Sequence, residues 1–413
     1  MGKLLSSLFV FLCVVYSYGD DFSKPVSKDL FDIKNIWGSV AISYKADDTN
    51  WFTLEEKENN SFSVASTLGA YIKPIHLAFE VAGWSDFGLD IASSPRVNDQ
   101  IVPNVSSVWH DMTGFEVSQL FFLWKDDKFA IRLGREEISR KISPWLFSDR
   151  SISVLDFTYD GLMMAYKSDK SMYHFGWIVN ISNIYKTVHL GDKGLGVFFI
   201  SANTKISKKF KLNNALYIFP NSKYISNSDT FGTGEDIWSY WGDGVYRFRG
   251  FADAFQIVYT DGNQDGEHTI ALANQLRVFR KKYMFKMTLA YINDGDYSIK
   301  TAGFKFGSSA FWGKSLNGEF GADTVKYKQY IARIDTHYKL DSGKIYGGVA
   351  YDNYDGEKKW HLDKAYAIQL GYMFKHNGIK YQLEYRYKHQ EKISGDIFDK
   401  RHIHFDIIYK FIK

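Results

Sequence analysis

Polar side chains, four of the five charged, recur at every second position in residues 379–388, and this spacing is the strongest chemical signal in the chain. A period of two places alternate residues on opposite faces of a β-strand. One face then suits water and ions, the other suits hydrocarbon, and the wall of a membrane-spanning barrel requires this pairing. The polar face is Lys380, Gln382, Glu384, Arg386 and Lys388, and the apolar face is Ile379, Tyr381, Leu383, Tyr385 and Tyr387.

The same argument assigns other charged residues to a watery interior. Residues 283–291 and 366–374 carry apolar stripes that suit lipid. A charge facing lipid costs about 2 to 4 kcal/mol at the midplane, so charges on the opposite register should face inward. An excess of cations would favour anions, whereas mutual pairing would only solvate a plugged interior. The predicted inward residues are the cations Arg132, Arg247, Arg249, Arg277, Lys286, Arg333, Lys339, Lys380, Arg386 and Lys388, and the carboxylates Asp335, Glu384 and Asp406.

Catalytic and metal-binding patterns are weak. His402 and His404 share one face of the final strand, but two imidazoles without a third ligand are too few for zinc. His76, His174 and His337 lie in predicted strands without a Ser or Asp arrangement that suggests catalysis. The sequence therefore predicts no catalytic residue, no metal site and no cofactor.

The segment 261–267 begins like a calcium loop, in which oxygen ligands alternate and glycine permits a sharp turn. Leu272 occupies the twelfth position, where a glutamate is needed, and the segment joins two strands. Turn-forming residues explain the same letters, so an outer hairpin loop is the favoured interpretation, with calcium binding left open.

The elements that must position these residues are strands. The chain is 17% aromatic and contains only 6 prolines. Strands favour aromatic residues and reject proline, and lipid interfaces collect Trp and Tyr. Beyond residue 20 no uninterrupted apolar run approaches the roughly 18 to 20 residues of a spanning helix. The mean hydropathy of -0.28 is compatible with a barrel, because half of each strand can face water.

Alternation predicts an all-β fold, a transmembrane antiparallel β-barrel of about 18 strands, with 16 and 20 as alternatives. The candidate segments number 19, whereas single-chain bacterial barrels close with an even number, so one segment must be wrong. The suspect is 245–260, where Gly250 marks either a bulge or a turn. The candidate segments are 36–44, 62–73, 75–84, 115–125, 128–134, 157–167, 172–181, 196–206, 211–219, 245–260, 268–279, 283–293, 297–306, 317–327, 330–339, 345–353, 364–374, 379–388 and 402–411.

Connection lengths predict the orientation, since short turns belong on the periplasmic side. Both termini should then be periplasmic. The aromatic run 238–241 falls in a predicted outer loop and could serve a sticky, adhesive surface. The predicted short turns are 73–74, 126–127, 168–171, 280–282, 341–343 and 376–378, and the predicted outer loops are 85–114, 135–156, 220–244, 356–363 and 389–401.

The N-terminus has the pattern of a secretory signal. An apolar core, residues 4–16, follows Lys3 and ends at Ser17-Tyr18-Gly19. The prediction is a cleaved signal peptide, 1–19, followed by a single barrel domain, 20–413. Cys13, the only cysteine, lies inside the signal, so the mature chain has no thiol.

A family resemblance is carried by residues 131–161. The Gly134-Arg135 pair closes a strand, a charged loop containing Pro144 follows, and a glycine-containing aromatic strand comes after Asp149-Arg150. This order resembles the constriction-loop region of the OprD-like outer-membrane porins, 18-stranded barrels that pass small hydrophilic solutes. The resemblance implies that the loop of about 135–156 folds inward and narrows the pore; an ordinary surface loop is the alternative. The implied constriction residues are Arg132, Arg135, Arg140 and Arg150, with Glu136, Glu137 and Asp149 as counter-charges.

The combined interpretation is an outer-membrane porin, monomeric or trimeric, for passive diffusion of small hydrophilic solutes with a leaning toward anions or carboxylates. A non-conducting adhesin or structural barrel is the alternative, and a barrel enzyme is a further one. The expected partners are outer-membrane lipid, the solutes and the outer-membrane assembly machinery, and not nucleic acid. The aromatic residue that commonly ends such barrels is Phe411, two positions before the last residue.

Overall fold

A computed structural model provides the structure of the chain. The predicted signal peptide, 1–19, lies outside the described residues. The described residues are 35–48, 59–85, 96–97, 100–101, 114–139, 141–144, 146, 158–182, 187–190, 195–220, 224–226, 229–231, 236–261, 268–293, 300–301, 304–305, 328–355, 362–395 and 397–412.

Eighteen long strands within the described residues form one closed antiparallel β-barrel. Each strand pairs with the next along the chain, and the last pairs with the first, where Ser43 lies opposite Asp406. The predicted fold class and strand number are confirmed. The wall strands are β1 Ile36–Asp48, β2 Asn59–Ile72, β3 Leu77–Ser85, β4 Gly114–Lys125, β5 Phe129–Glu136, β6 Thr158–Lys167, β7 Ser171–Ser182, β8 Val197–Lys205, β9 Phe210–Phe219, β10 Ile237–Phe248, β11 Phe251–Asp261, β12 Thr269–Phe279, β13 Tyr283–Ile292, β14 Lys328–Lys339, β15 Gly343–Asp355, β16 Leu362–His376, β17 Ile379–Lys392 and β18 Ile397–Ile412.

The remaining elements are short. Within the described residues, no helix is long and apolar enough to cross a membrane. The short elements are the 3-10 helix Lys73–Ile75 and the strands Arg96–Val97, Gln100–Ile101, Thr187–Leu190, Tyr224–Ser226, Asp229–Phe231, Lys300–Thr301 and Phe304–Lys305.

Strand alternation separates an outer from an inner face. On β16, Leu370 is 58% exposed while its neighbour Gln369 is 5% exposed. On β13, Leu289 is 56% exposed and Thr288 is 1% exposed. The predicted lipid-facing stripes at 283–291 and 366–374 therefore lie on the outer face. Their large exposed apolar side chains suit hydrocarbon, whereas the polar register is enclosed by the barrel.

Connection lengths sort the two ends of the barrel. Four residues join β2 to β3, and turns of two to four residues follow every second strand up to the β16–β17 turn. The described ends, Ile36 and Ile412, lie at this same end of the barrel because Trp37 pairs with Ile412. The alternate connections are mostly longer. Short turns face the periplasm in bacterial barrels, so this arrangement agrees with the predicted orientation.

Of the two alternatives for the segment 245–260, the turn at Gly250 is confirmed, whereas one predicted loop is partly wrong. The segment 245–260 is two strands, β10 and β11, joined at Arg249 and Gly250. Gly250 has φ +78°, a value that glycine adopts without a Cβ clash. The predicted loop 220–244 is therefore wrong beyond residue 236, because β10 starts at Ile237. The aromatic run 238–241 lies in the wall, with Trp238 outward and Trp241 buried inward.

The described parts of the predicted strand 297–306 do not enter the wall. Strand β13 pairs directly with β14, Lys286 opposite Asp335, so no strand stands between them. Of 297–306, the described parts form a separate hairpin, Lys300–Thr301 with Phe304–Lys305. The predicted strand 317–327 lies outside the described residues. The predicted loop 389–401 is also too long, because β17 and β18 leave only residues 393–396 between them.

Candidate functional site

The loop after β5 lies against the inner face of the wall. Ile138, Ile142 and Leu146 are 0%, 1% and 0% exposed and belong to one apolar cluster with inward side chains of β6–β14. Tyr217 and Phe199 are members of that cluster. Burying three large aliphatic side chains stabilises this placement, at about 1.5 to 3 kcal/mol for each side chain.

Hydrogen bonds fix the loop backbone to the wall. The Ser201 hydroxyl donates to the Ile142 carbonyl at 2.5 Å. The Asn203 side chain donates to the Lys141 carbonyl at 2.5 Å, and the hydroxyls of Ser143 and Tyr217 are 2.8 Å apart. Apolar packing alone would let the loop slide, whereas these directional bonds set its register.

A small polar cavity of about 160 Å³ lies between the loop and the wall. This volume is sufficient for several water molecules or for a molecule of about the size of benzene. Its lining residues are Lys141, Pro144, Ser201, Asn203, Asn213, Asn214 and Asp243.

The first predicted constriction residues form buried contacts. Arg132 lies inward but is 1% exposed, and its Nη1 is 3.1 Å from Glu136 Oε2. Its guanidinium also lies 5.0 Å from the centre of the Phe121 ring. Glu137 is likewise buried, 6% exposed. Since a buried ion pair partly cancels its own field, Arg132 and Glu136 serve chiefly to hold the root of the loop.

Arg135 lies on the opposite register from Arg132, across from Leu120, whose side chain is exposed on the outer face. Its guanidinium forms a two-point contact with Asp160, with Nε–Oδ1 and Nη2–Oδ2 distances of 2.7 and 3.1 Å. Asn180 donates to the same carboxylate at 3.0 Å. The predicted constriction residues Arg140, Asp149 and Arg150 lie outside the described residues.

A second inner surface, on β12–β15, carries four of the ten predicted lumen cations. Arg277 on β12 lies directly opposite Lys286 on β13. Lys344, at the start of β15, shares this inward register and lies 5.3 Å from the centre of the Tyr346 ring. Within the described residues, Arg277, Lys286 and Lys344 form no ion pair. Like charges across a strand pair repel one another, so this surface presents a positive potential.

The remaining predicted cations are more closely paired. Arg333 is 6% exposed and contacts Asp335 at 2.5 Å. Arg386 forms an ion pair with Glu384, which is 2% exposed. Lys380 faces inward and is 5% exposed. The charges of Arg333 and Arg386 are therefore paired with carboxylates, as the second sequence-based alternative predicts. Arg277 and its neighbours instead form the excess of cations that the first alternative predicts.

Glu384 is the centre of a hydrogen-bonded network on β15–β17. It accepts from Tyr346 at 2.7 Å and from Gln369 at 2.6 Å. Gln382 donates to the Tyr346 hydroxyl at 3.0 Å. The Tyr346 ring lies over Gly371, where a Cβ would collide with it. These contacts fix the side chains that surround Lys344.

The two predicted lumen arginines near the turn of β10 and β11 differ in position. Arg247 lies on the inward register and is exposed. Arg249 is in the turn itself, at the rim and not on the inner wall. A turn residue has no place in the strand alternation, and this is why the periodicity argument misplaced it.

Sequence reasoning missed Lys344, Tyr346 and Tyr217 as site residues. The predicted strand began at residue 345, one position after Lys344, whereas β15 begins at Gly343. Tyr346 and Tyr217 occupy inward registers, and counting the alternation back from the charged positions could have found them. Their partners lie on other strands, and no local pattern encodes such contacts.

The described residues include parts of the histidine and calcium-like patterns. Within the described parts of the chain, no group of three or more His, Cys, Asp or Glu side chains is placed to hold a metal ion. His174 Nδ1 lies 3.2 Å from Ser201 Oγ, and that serine donates to the loop carbonyl. Of the calcium-like segment, only Asp261 is described, and it contacts His268 at 2.8 Å.

By sequence, the chain matches no family model and no curated protein. Its fold does match solved structures. OccK9 (OpdG) of Pseudomonas aeruginosa superposes with a TM-score of 0.65 at 12% identity, covering 91% of this chain and 98% of that one. OpdL of the same organism superposes with a TM-score of 0.64 at 9% identity, covering 92% of this chain and 98% of that one. OccAB4 of Acinetobacter baumannii superposes with a TM-score of 0.61 at 12% identity, covering 92% of this chain and 100% of that one.

These structures belong to the OprD/Opd/Occ group of outer-membrane porins. The shared features are the complete closed wall and nearly the full length of each chain. The resemblance inferred from residues 131–161 is confirmed for the fold. The chain therefore has the 18-stranded β-barrel fold of the OprD-like outer-membrane porins.

Proposed function

We propose that the chain is an outer-membrane channel through which small hydrophilic solutes diffuse passively, with a preference for anions and carboxylates. The observation that carries the preference is the inward surface of Arg277, Lys286 and Lys344, which form no ion pair within the described residues. Fixed cations in a narrow water path replace part of an anion's hydration and repel cations. In this proposal the signal peptide, 1–19, is removed, and the outer-membrane assembly machinery inserts the mature barrel into the membrane.

The inward loop supports a constricted pore. Because Ile138, Ile142 and Leu146 pack on one side of the interior, the water path is displaced toward the charged wall. Solutes then pass close to Lys286 and Lys344. Reduced screening in a narrow path strengthens the action of fixed charges on ions.

Planar-bilayer recording of the purified protein tests this proposal. Stepwise conductance is expected, together with a zero-current potential of anion-selective sign under a KCl gradient. A protein that inserts but gives no conductance steps would favour the non-conducting adhesin or structural barrel. A potential of cation-selective sign would remove the anion preference while leaving the channel.

A further inference from the structure

The short-turn end of the barrel carries an uneven charge. Three neighbouring hairpins, β8–β9, β10–β11 and β12–β13, have exposed cations and no carboxylate in their turns. The turns of β4–β5 and β6–β7 instead combine lysines with Asp126, Asp127 and Asp169. We call the first group the basic rim, and it consists of Lys208, Lys209, Arg249, Arg280, Lys281 and Lys282.

Backbone hydrogen bonds make the basic rim one continuous surface. The Arg247 N–H donates to the Lys209 carbonyl at 2.9 Å, and the Phe279 N–H donates to the Gly250 carbonyl at 2.8 Å. Lys282 approaches Asp341 of the next turn at 3.6 Å. Within the described residues, the other five cations have no carboxylate partner. Their mutual repulsion favours an anionic ligand.

An aromatic cluster lies on the outer face directly beside these turns. The Phe210 and Tyr246 rings are 6.1 Å apart, and those of Tyr246 and Phe248 are 4.5 Å apart. The Arg280 guanidinium lies 5.5 Å from the centre of the Phe251 ring. Outward aromatic residues near strand ends mark the membrane interface, so the cations next to them lie at headgroup depth.

We propose that the basic rim binds the anionic headgroups of phospholipids in the periplasmic leaflet. Headgroup phosphates are fixed negative charges at the depth of these side chains. Each Lys or Arg at an anionic membrane surface contributes about 1 kcal/mol, or about fivefold in association. Lipids held there would fix the depth of β8–β13, a role separate from the passage of solutes.

Spin-labelled lipids at the barrel surface give a direct test. The full barrel is reconstituted in phosphatidylcholine vesicles, and the association of labelled phosphatidylglycerol is compared with that of labelled phosphatidylcholine. The rim variant is Lys208→Gln, Arg249→Gln and Lys281→Gln. The matched control is Lys128→Gln, Lys167→Gln and Lys170→Gln. It removes the same charge at the β4–β5 and β6–β7 turns, outside the basic rim. Heat-modifiable mobility in detergent gels verifies that each variant is folded.

The parent protein is expected to prefer phosphatidylglycerol, and less so in about 1 M salt, where the Debye length is about 3 Å. Lys281→Gln alone should lose about fivefold of that preference, the rim variant more, and the control little. Absence of preference in the parent, or an equal loss in the control, would overturn the proposal. Displacement by inorganic phosphate, but not by chloride of equal ionic strength, would assign the surface to free phosphate instead.

Discussion

The inner faces of β6–β11 and β15–β18 differ in chemistry although they line the same barrel. The first packs Phe199, Tyr217 and Trp241 with the loop residues Ile138 and Ile142 in one buried apolar cluster. The second has buried polar and charged side chains joined through hydrogen bonds, with Glu384 at the centre. The outer faces do not differ in this way, since Leu216 on β9 and Leu370 on β16 are both exposed.

This comparison explains how a short loop could shape a pore. An apolar inner surface is unfavourable in contact with water, so the apolar side chains of the loop pack against it. A charged inner surface gives the loop no such apolar contact. Under the proposed function, the apolar wall holds the loop that narrows the pore, and the charged wall faces the permeating solutes.

The largest effect is expected from breaking the outer face that both regions share. Leu370→Arg places a cation on the outer side of β16, at a cost of about 2 to 4 kcal/mol at the membrane midplane. Gln382→Arg, on the inner face of β17, should be tolerated. Folding yields in lipid vesicles, read from heat-modifiable mobility, compare the two variants. Equal yields would show that the face assignment is wrong.

A smaller effect is expected from loosening the packing of the loop on the apolar wall. Ile142→Ala removes a buried side chain and costs about 2 to 5 kcal/mol, enough to release part of the loop while the wall stays closed. The single-channel conductance should rise and become noisier. Lys141→Ala, at the exposed neighbouring position, is the control. Unchanged conductance for Ile142→Ala would mean that the loop does not limit the path.

A change at the charged wall should sharpen selectivity without altering conductance strongly. Glu384→Gln removes a negative charge but keeps a side chain that can accept from Tyr346. The zero-current potential is expected to move modestly toward the anion limit. Tyr346→Phe, which removes only the hydroxyl, serves as the neutral control. A shift toward cations would contradict the placement of Glu384 beside the path.

The smallest effect is expected where neither region is touched. Asp126 accepts from the N–H groups of Lys128 and Phe129, both at 2.7 Å, and these bonds hold the pKa of Asp126 below its ordinary value. A lowered native pKa contributes stability that is present above the unfolded value of about 3.9 and is lost as pH falls through the native value.

Asp126→Asn should therefore lower the denaturant midpoint slightly at neutral pH, and the difference from the parent should shrink in acid. Asp127→Asn, at the adjacent exposed position, controls for the charge alone. A difference that persists unchanged at low pH would exclude the carboxylate's hydrogen bonds as the cause.

The wall could be predicted from sequence because its physics is local. Alternation in 283–291, 366–374 and 379–388 reports lipid on one side and water on the other. The strand number was correct, although 245–260 was counted once where β10 and β11 lie and 297–306 was counted as a wall strand. The inner register of β10 has the polar residues Ser239, Asp243 and Arg247, but Trp241 and Val245 interrupt it, and the first half of the strand was assigned to the predicted loop 220–244.

The candidate site was less accessible to sequence reasoning, because it depends on contacts between distant strands. Arg132 was placed on the inward face correctly, but its burial against Glu136 and Phe121 has no local signature. Lys344 was missed through a boundary error of two residues in β15. The loop residues Ile138, Ile142 and Leu146 pack against β6–β14. One sequence alone carries no signal for that contact.

The zero-current potential of a triple variant tests the central claim most directly. Arg277→Gln, Lys286→Gln and Lys344→Gln are combined and compared with the parent under a KCl gradient, with the Lys128, Lys167 and Lys170 triple variant as the equal-charge control. The potential should move toward cations in the first variant alone. The shift should be larger in dilute salt, since the Debye length is about 30 Å at 0.01 M and about 3 Å at 1 M. An unchanged potential would show that these cations do not set selectivity.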